Sequence, residues 1–485
     1  MKETALRRTL MVVIPLITVG GVLLWKSWPA SLGQERVPPP LQYSAVMRND
    51  VYMGVGSCAS PACHGGPVSA HQDRVWNSSY TVWVNQDKHA GAYSVLFGPR
   101  SLQIFRNYKH LPETASCQPY EEPACLACHA TVRSVPQDDR GLLSDGIGCE
   151  SCHGPARGWL ADHASCSWNR QIRDPHATDA FGDGDMVATK DLAVRAGVCV
   201  DCHVGSAGGN GLPARNMDHD MIAAGHPRLT FEFTAFMANM PRHWSDRDEA
   251  SAEGNSPRVW AIGQAASMQA ALRLLAYRAA SAEKAAAAEP HSAPWPELSE
   301  YDCYACHHGL KLQSYDPKRF AAAGSGGSAA SAKPGRLPWG TWYMPTTCLL
   351  LQHGLDTPEA VSDIREIAEL MSEPSPPPGV VRERARAAAE KMQQCVDAAK
   401  IAQYDRRRLE SLVRAATNLQ PANWDEACGI FLLLRSSYGS DPRVAPSLAE
   451  FLKLLRFKGD NDSPRDFNPA AFDHHMSEFR KLLFP

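Results

Sequence analysis

The chain has almost no net charge to offer a partner: 49 Lys and Arg stand against 52 Asp and Glu, leaving −3 over 485 residues. That balance gives no support to nucleic-acid binding, which needs a basic excess gathered on one face. Long hydrophobic runs are equally scarce. The one that approaches a membrane span, Thr9 to Trp25, follows Lys2, Arg7 and Arg8. It is at the short end for a span and long for a signal-peptide core. No small-x-small cleavage site follows it, because Trp28 occupies the third position before a cut after Ala30, and no nearby cysteine offers a lipid attachment point. The expectation is a transmembrane anchor or signal segment over residues 9–28. Residues 1–8 then lie on the cytoplasmic side, with Trp25 and Trp28 at the interface.

Cysteine, by contrast, is abundant, with 15 residues in all. Four Cys-x-x-Cys-His motifs run from Cys125 to His129, Cys149 to His153, Cys199 to His203 and Cys303 to His307, and a wider one spans Cys58, Cys63 and His64. Each reads as a covalent haem c site in which two thiols add to the vinyl groups and the following histidine is the proximal iron ligand. The thioether residues are then Cys58, Cys63, Cys125, Cys128, Cys149, Cys152, Cys199, Cys202, Cys303 and Cys306, and the proximal ligands His64, His129, His153, His203 and His307. Zinc knuckles are the competing reading, but a histidine abuts every pair and the pairs are too far apart for compact tetrahedral sites. Four residues separate Cys58 from Cys63, so the loop must bulge to present both sulfurs, and a disulfide is the alternative there. Five haems and their irons imply an exported redox protein. The remaining Cys117, Cys166, Cys348, Cys395 and Cys428 permit at most two disulfides, or serve as small buried side chains.

Distal ligands decide between a wire and an enzyme. His89 shares a helix-spaced apolar face with Val82, Tyr93 and Leu96. His163 follows the Gly154-Pro155 turn and is expected to ligate a neighbouring haem, since its own motif already supplies the opposite face. His219 and His226 are separated by Gly225 and flanked by Pro227, which break any continuous helix and let them point at different irons. Pro227 is expected to open a helix with Leu229, Phe233, Phe236 and Met240 on one face. His243 leads for the fifth place, ahead of His71 and His353. His308 cannot bind the haem of His307, because adjacent residues cannot reach both faces.

At these residues the chain resembles multihaem cytochromes of the cytochrome c-554 type. The resemblance rests on Tyr80-Thr81-Val82-Trp83, on Asp87-Lys88-His89-Ala90-Gly91-Ala92-Tyr93, and on Cys149-Glu150-Ser151-Cys152-His153-Gly154-Pro155. Ala223-Ala224-Gly225-His226-Pro227-Arg228-Leu229 and Tyr301-Asp302-Cys303-Tyr304-Ala305-Cys306-His307-His308 look like the same group. It covers roughly residues 55–310 and implies closely stacked haems, mostly bis-histidine ligation, and electron transfer on the outer side of a membrane. Five motifs, an expanded first motif and a long carboxy-terminal extension depart from the tetrahaem members. The absence of Cys-x-x-Cys-Lys argues, by comparison with that family, against the common nitrite-reductase type of catalytic haem.

The expected fold is mainly α with much irregular structure. A Pro-rich tether fills 29–50, with Val37-Pro38-Pro39-Pro40 as a stiff spacer. A pentahaem cytochrome c domain occupies 51–320, a flexible linker containing Gly324-Ser325-Gly326-Gly327-Ser328 spans 321–338, and a helical domain follows at 339–485. Met268, Ala271, Leu272 and Leu275 predict a helix packed on the haem domain. Arg382 to Lys400 reads as a solvated helix. Apolar faces are expected at Ile364, Ile367, Leu370 and Met371, at Leu448, Phe451, Leu452 and Leu455, and at Phe472, Met476, Phe479 and Leu482. The segment Leu337 to Tyr343 either covers the last haem or anchors the next domain. The expected function is an electron carrier more than a catalyst, single-pass in the inner membrane with its haem domain on the periplasmic side. It would serve redox protein partners or the membrane quinol pool. The alternatives are an oxidoreductase with one five-coordinate haem acting on a small nitrogen or sulfur compound, and a quinol dehydrogenase.

Overall fold

Long apolar periods are rare in the motif-bearing part of the sequence and frequent after residue 345, and the helices divide accordingly. The computed structural model describes residues 52–68, 72–131, 140–164, 186–209, 213–244, 255–288, 294–307, 336–340, 342–421, 423–456 and 467–484. The expected anchor, the tether and most of the 321–338 linker lie outside the described residues, as do His71, Cys166 and His308. The described residues are mainly helical. Among them there is no strand, only the isolated bridges Ser206 to Arg215 and Tyr301 to Trp339, and no helix is long and apolar enough to cross a membrane.

In the motif segment, short helices end on the cysteine motifs: Pro123–His129, Cys149–His153, Leu192–His203 and Cys303–Cys306. Three-residue spacing on a helix puts both thiols of a motif on one face, which is what attachment to a single ring requires. Acidic caps start several of these turns. Asp191 accepts hydrogen bonds from the amides of Ala193 and Val194, and Glu122 from that of Ala124. Glu150, buried inside the third motif, accepts from the amides of Met53, Gly54 and Ala156 and so ties that motif to the entrance of the first.

Two helices differ from expectation. The apolar face through His89 is not one helix. Ser79–Gln86 stops at Asp87, whose backbone is extended (φ −87°, ψ 126°) and whose side chain caps a separate 3-10 turn, Lys88–Gly91. The helix expected from Pro227 begins at Phe233, because Glu232 caps it by accepting from the amides of Thr234 and Ala235.

The centre of the molecule is the helix Asn255–Ala288, which packs most extensively on Pro378–Ile401 and next on the motif helix Leu192–His203. Its Trp260, Met268, Leu272 and Leu275 are buried. Arg382 to Lys400, expected to be solvated, is in fact half core: Ala385, Ala388, Ala389, Met392, Val396 and Ala399 are all buried. Alanine contributes little hydrophobic amplitude to a periodicity, yet its size lets two helices approach closely. Gln269, at this contact, donates to the carbonyl of Ala389 (3.2 Å). The other predicted faces are buried at Ile364, Ile367 and Met371, at Leu448, Phe451 and Leu455, and at Phe472, Met476 and Phe479, whereas Leu482 is exposed. One apolar core includes Ala196 and Val200 of the fourth motif helix, the long central helix, and all of these faces.

Gly263 lies where the central helix meets Phe233, and a Cβ there would overlap the Phe233 side chain. Gly263→Ala would gain about 1 kcal/mol of helix propensity but force overpacking worth about 1–3 kcal/mol. The expected result is a less stable protein, measured as a lower thermal midpoint.

Candidate haem centres

A histidine placed directly after the second cysteine of a helical turn can reach only one face of a ring held by those thiols. The opposite face must be filled from elsewhere in the chain. The structure brings a second histidine to four of the five proximal ones. Ring centres are 6.2 Å apart for His64 and His163, 6.3 Å for His129 and His226, 6.0 Å for His203 and His89, and 6.3 Å for His307 and His219. A metal–nitrogen bond of about 2.0 Å on each side, plus about 1.2 Å from nitrogen to ring centre, requires roughly 6.4 Å. The gaps therefore fit one metal ion between each pair of imidazoles.

Hydrogen bonding leaves the correct nitrogen free. Nδ1 of His64 is 2.7 Å from the carbonyl of Trp76, that of His129 2.8 Å from Ala92, that of His163 2.5 Å from Leu160, and that of His226 2.8 Å from Pro227. A carbonyl only accepts, so each Nδ1 carries the proton and each Nε2 keeps its lone pair for a metal. His89 has a different partner: its Nδ1 is 3.0 Å from Oδ1 of Asp87. Burial pushes His203 down to about 4, assisted by the nearby His89. A neutral imidazole is the ligating form.

His153, the third proximal histidine, has no ring partner at such a distance among the described residues. Burial, then the charges of His243 and His64, push it down to about 4. His243, the expected fifth distal ligand, is within electrostatic reach of His153 and packs its ring on Trp244, 5.1 Å between centres. Its Nδ1 is 3.4 Å from the carbonyl of Pro241.

No disulfide joins any of the ten motif cysteines, Cys58 and Cys63 included. Thiols from different motifs touch: Cys58 hydrogen-bonds Cys149, and Cys128 hydrogen-bonds Cys202. The Cys149 contact holds Cys58 down to about 7, while burial pushes Cys125 up to about 11 and Cys152 and Cys199 up to about 12. Among the described residues no group of three or more His, Cys, Asp or Glu gathers as a metal-ion cage, which the zinc reading would need. Cys348, Cys395 and Cys428 are buried in the helical core without a disulfide.

Near the fifth motif, a cavity is lined by Val204, Ile222, Arg228, Met268, Trp339 and Tyr343. Arg228 is paired with buried Asp425 (2.8 Å) from the helix Trp424–Tyr438, and its charge offsets part of the upward push that burial gives Cys303. The Leu337 to Tyr343 segment is held by its tryptophans. Trp339 lines the cavity and donates to Glu300 (2.6 Å), and Trp342 anchors on the carbonyl of Phe231 (2.8 Å).

Several supporting residues were not legible as such. Asn77 donates to the carbonyls of Pro61 (3.1 Å) and Cys63 (2.6 Å) and so clamps the expanded first motif. Nothing in the sequence around Asn77 marks that role. Asp87 could have been found as an Asp two residues before a candidate ligand, a cap spacing that also reaches the ring.

Residues 58–154 match the model of the family described as cytochrome c554 and c-prime. That stretch is a multihaem c-type cytochrome segment of the c554 type, which implies covalently bound haem c and iron in an electron-transfer role. No curated protein and no solved structure matches the chain.

Proposed function

We propose that this chain is a pentahaem electron carrier of the cytochrome c554 type, anchored in the inner membrane by residues 9–28 with its haem segment on the periplasmic side. It would exchange electrons with redox protein partners or the quinol pool. The observation that carries the reading is the set of four histidine pairs at 6.0–6.3 Å, each joining a motif histidine to a distal one. His163 serves the first motif, His226 the second, His89 the fourth and His219 the fifth. His243 is assigned to His153. The haem supplies one-electron chemistry between ferric and ferrous iron. The protein's part is to hold the rings, exclude water and set the order of sites.

That order is supported by side-chain neighbours. The first and third motifs meet at Cys58 and Cys149, the second and fourth at Cys128 and Cys202, and the third and fourth through Cys152 and Cys199. His226 and His219 share one short segment and link the second site to the fifth. The resulting path is first, third, fourth, second, fifth.

Ring orientation gives the test. The planes are 17° apart in the first pair and 25° in the fifth, but 84° in the second and 74° in the fourth. Nearly parallel imidazoles donate to the same iron d orbital and split the pair. Nearly perpendicular ones leave the two orbitals close in energy. The expected electron paramagnetic resonance spectrum of the ferric protein thus holds two rhombic low-spin signals and two with a single large g value. A spectrum without the large-g pair would refute the assignment.

A second reading is favoured by the lack, among the described residues, of a ring partner at iron-spanning distance for His153: an oxidoreductase whose third haem is five-coordinate and takes a small nitrogen or sulfur compound. Nitrite, hydroxylamine or cyanide would then shift a high-spin signal. A low-spin signal unmoved by all three supports His243 as the ligand.

A further inference from the structure

The distal and proximal histidines are not held alike. His64, His129, His163 and His226 donate Nδ1–H to neutral backbone carbonyls. His219 has a carboxylate, Asp220, only at 3.9 Å, and that side chain is largely exposed. Among the described residues, His89 alone of the ten candidate ligands has a buried carboxylate at its ring: Oδ1 of Asp87, with 5% of the side chain exposed, is 3.0 Å from Nδ1. The same oxygen accepts from the His89 amide at 3.0 Å, so it caps the Lys88–Gly91 turn and sets the ring's direction together.

We propose that Asp87 lowers the reduction potential of the haem attached at Cys199 and Cys202, making it the last of the five to accept an electron. A full negative charge on the far side of an imidazole raises its basicity and strengthens its donation to a metal. Ferric iron benefits more than ferrous iron, so the oxidised state is favoured. Burial of Asp87 keeps that charge unscreened. Because the fourth site sits in the middle of the path, its low potential puts an uphill step there. Electrons fill the two ends first, and the protein can hold charge at both ends without sharing it. Asp87 is a positioning residue acting through His89, and the inference rests on the assignment of His89 to that haem.

The test is a potentiometric titration followed by electron paramagnetic resonance on the full chain with its haems attached. Asp87→Asn keeps a good turn cap and an acceptor oxygen while removing the charge. The expected result is an upward move of one large-g signal by a tenfold change in its reduction equilibrium, which is 59 mV for one electron. Asp87→Ser, which also caps, should move it in the same direction, and Asp87→Glu should move it least. Asp220→Asn should leave every signal in place. His89→Gly identifies the haem, since it should turn that same large-g signal high-spin. If His89→Gly does so and Asp87→Asn moves nothing, the proposal fails and the ligand assignment stands. If His89→Gly changes no signal, both fail.

Discussion

A single charge placed in the carboxy-terminal helices, far in sequence from any cysteine motif, should unfold the haem segment with them. Met392 is buried in the apolar core on the helix Pro378–Ile401, which packs most extensively on the central helix. Met392→Asp would strand a carboxylate in an apolar contact, a cost of several kcal/mol even after the group protonates, against a total stability of about 5–15 kcal/mol. The central helix in turn packs on Leu192–His203, which carries Cys199, Cys202 and His203. Loss of the first contact therefore removes the support of the fourth motif. The expected measurement is one coincident thermal transition, by far-ultraviolet circular dichroism and by haem absorbance, at a much lower temperature than in the wild type. A haem segment that keeps its own higher transition would show instead that the carboxy-terminal helices are a separable unit.

That continuity explains what the sequence could and could not disclose. Motif chemistry is local: two thiols and a histidine within five residues are readable anywhere. The candidacy of His89, His163, His219 and His226 was readable too, from their turn and apolar contexts. Their partners were not. His89 meets His203 and His226 meets His129 across long stretches of chain, and such pairing depends on how the short helices are stacked. The packing of Arg382 to Lys400 was hidden for another reason, since its buried stripe is largely alanine and its exposed face is charged, so polarity dominated the period. Arg228 and Asp425 were invisible as a pair because each alone looks like a surface charge. Together they join the segment that follows His226 to the helix Trp424–Tyr438.

The expanded first motif carries the other large effect, an expected loss of one haem per chain when a single methyl group is added beside the loop. Two extra residues between Cys58 and Cys63 must be folded out of the way for both sulfurs to serve one ring. The chain does this by turning on Ser60, whose carbonyl accepts from the amides of Cys63 (2.8 Å) and Gly65 (2.9 Å). Gly65 then runs so close to the loop that a Cβ would overlap the carbonyl of Ala59. That neighbour is backbone and cannot swing aside as a side chain would. Gly65→Ala should therefore open the loop, separate Cys63 from Cys58, and pull His64 away from His163. Asn77→Ala, which removes the clamp on Pro61 and Cys63, should have a smaller effect in the same direction, since the Ser60 turn survives it. Pyridine haemochrome assay per chain should read four haems for Gly65→Ala, with one rhombic signal lost and the large-g signals intact. Five haems in that variant would mean that the wide motif attaches its ring without the Ser60 turn, and that the loop geometry has no part in fixing His64.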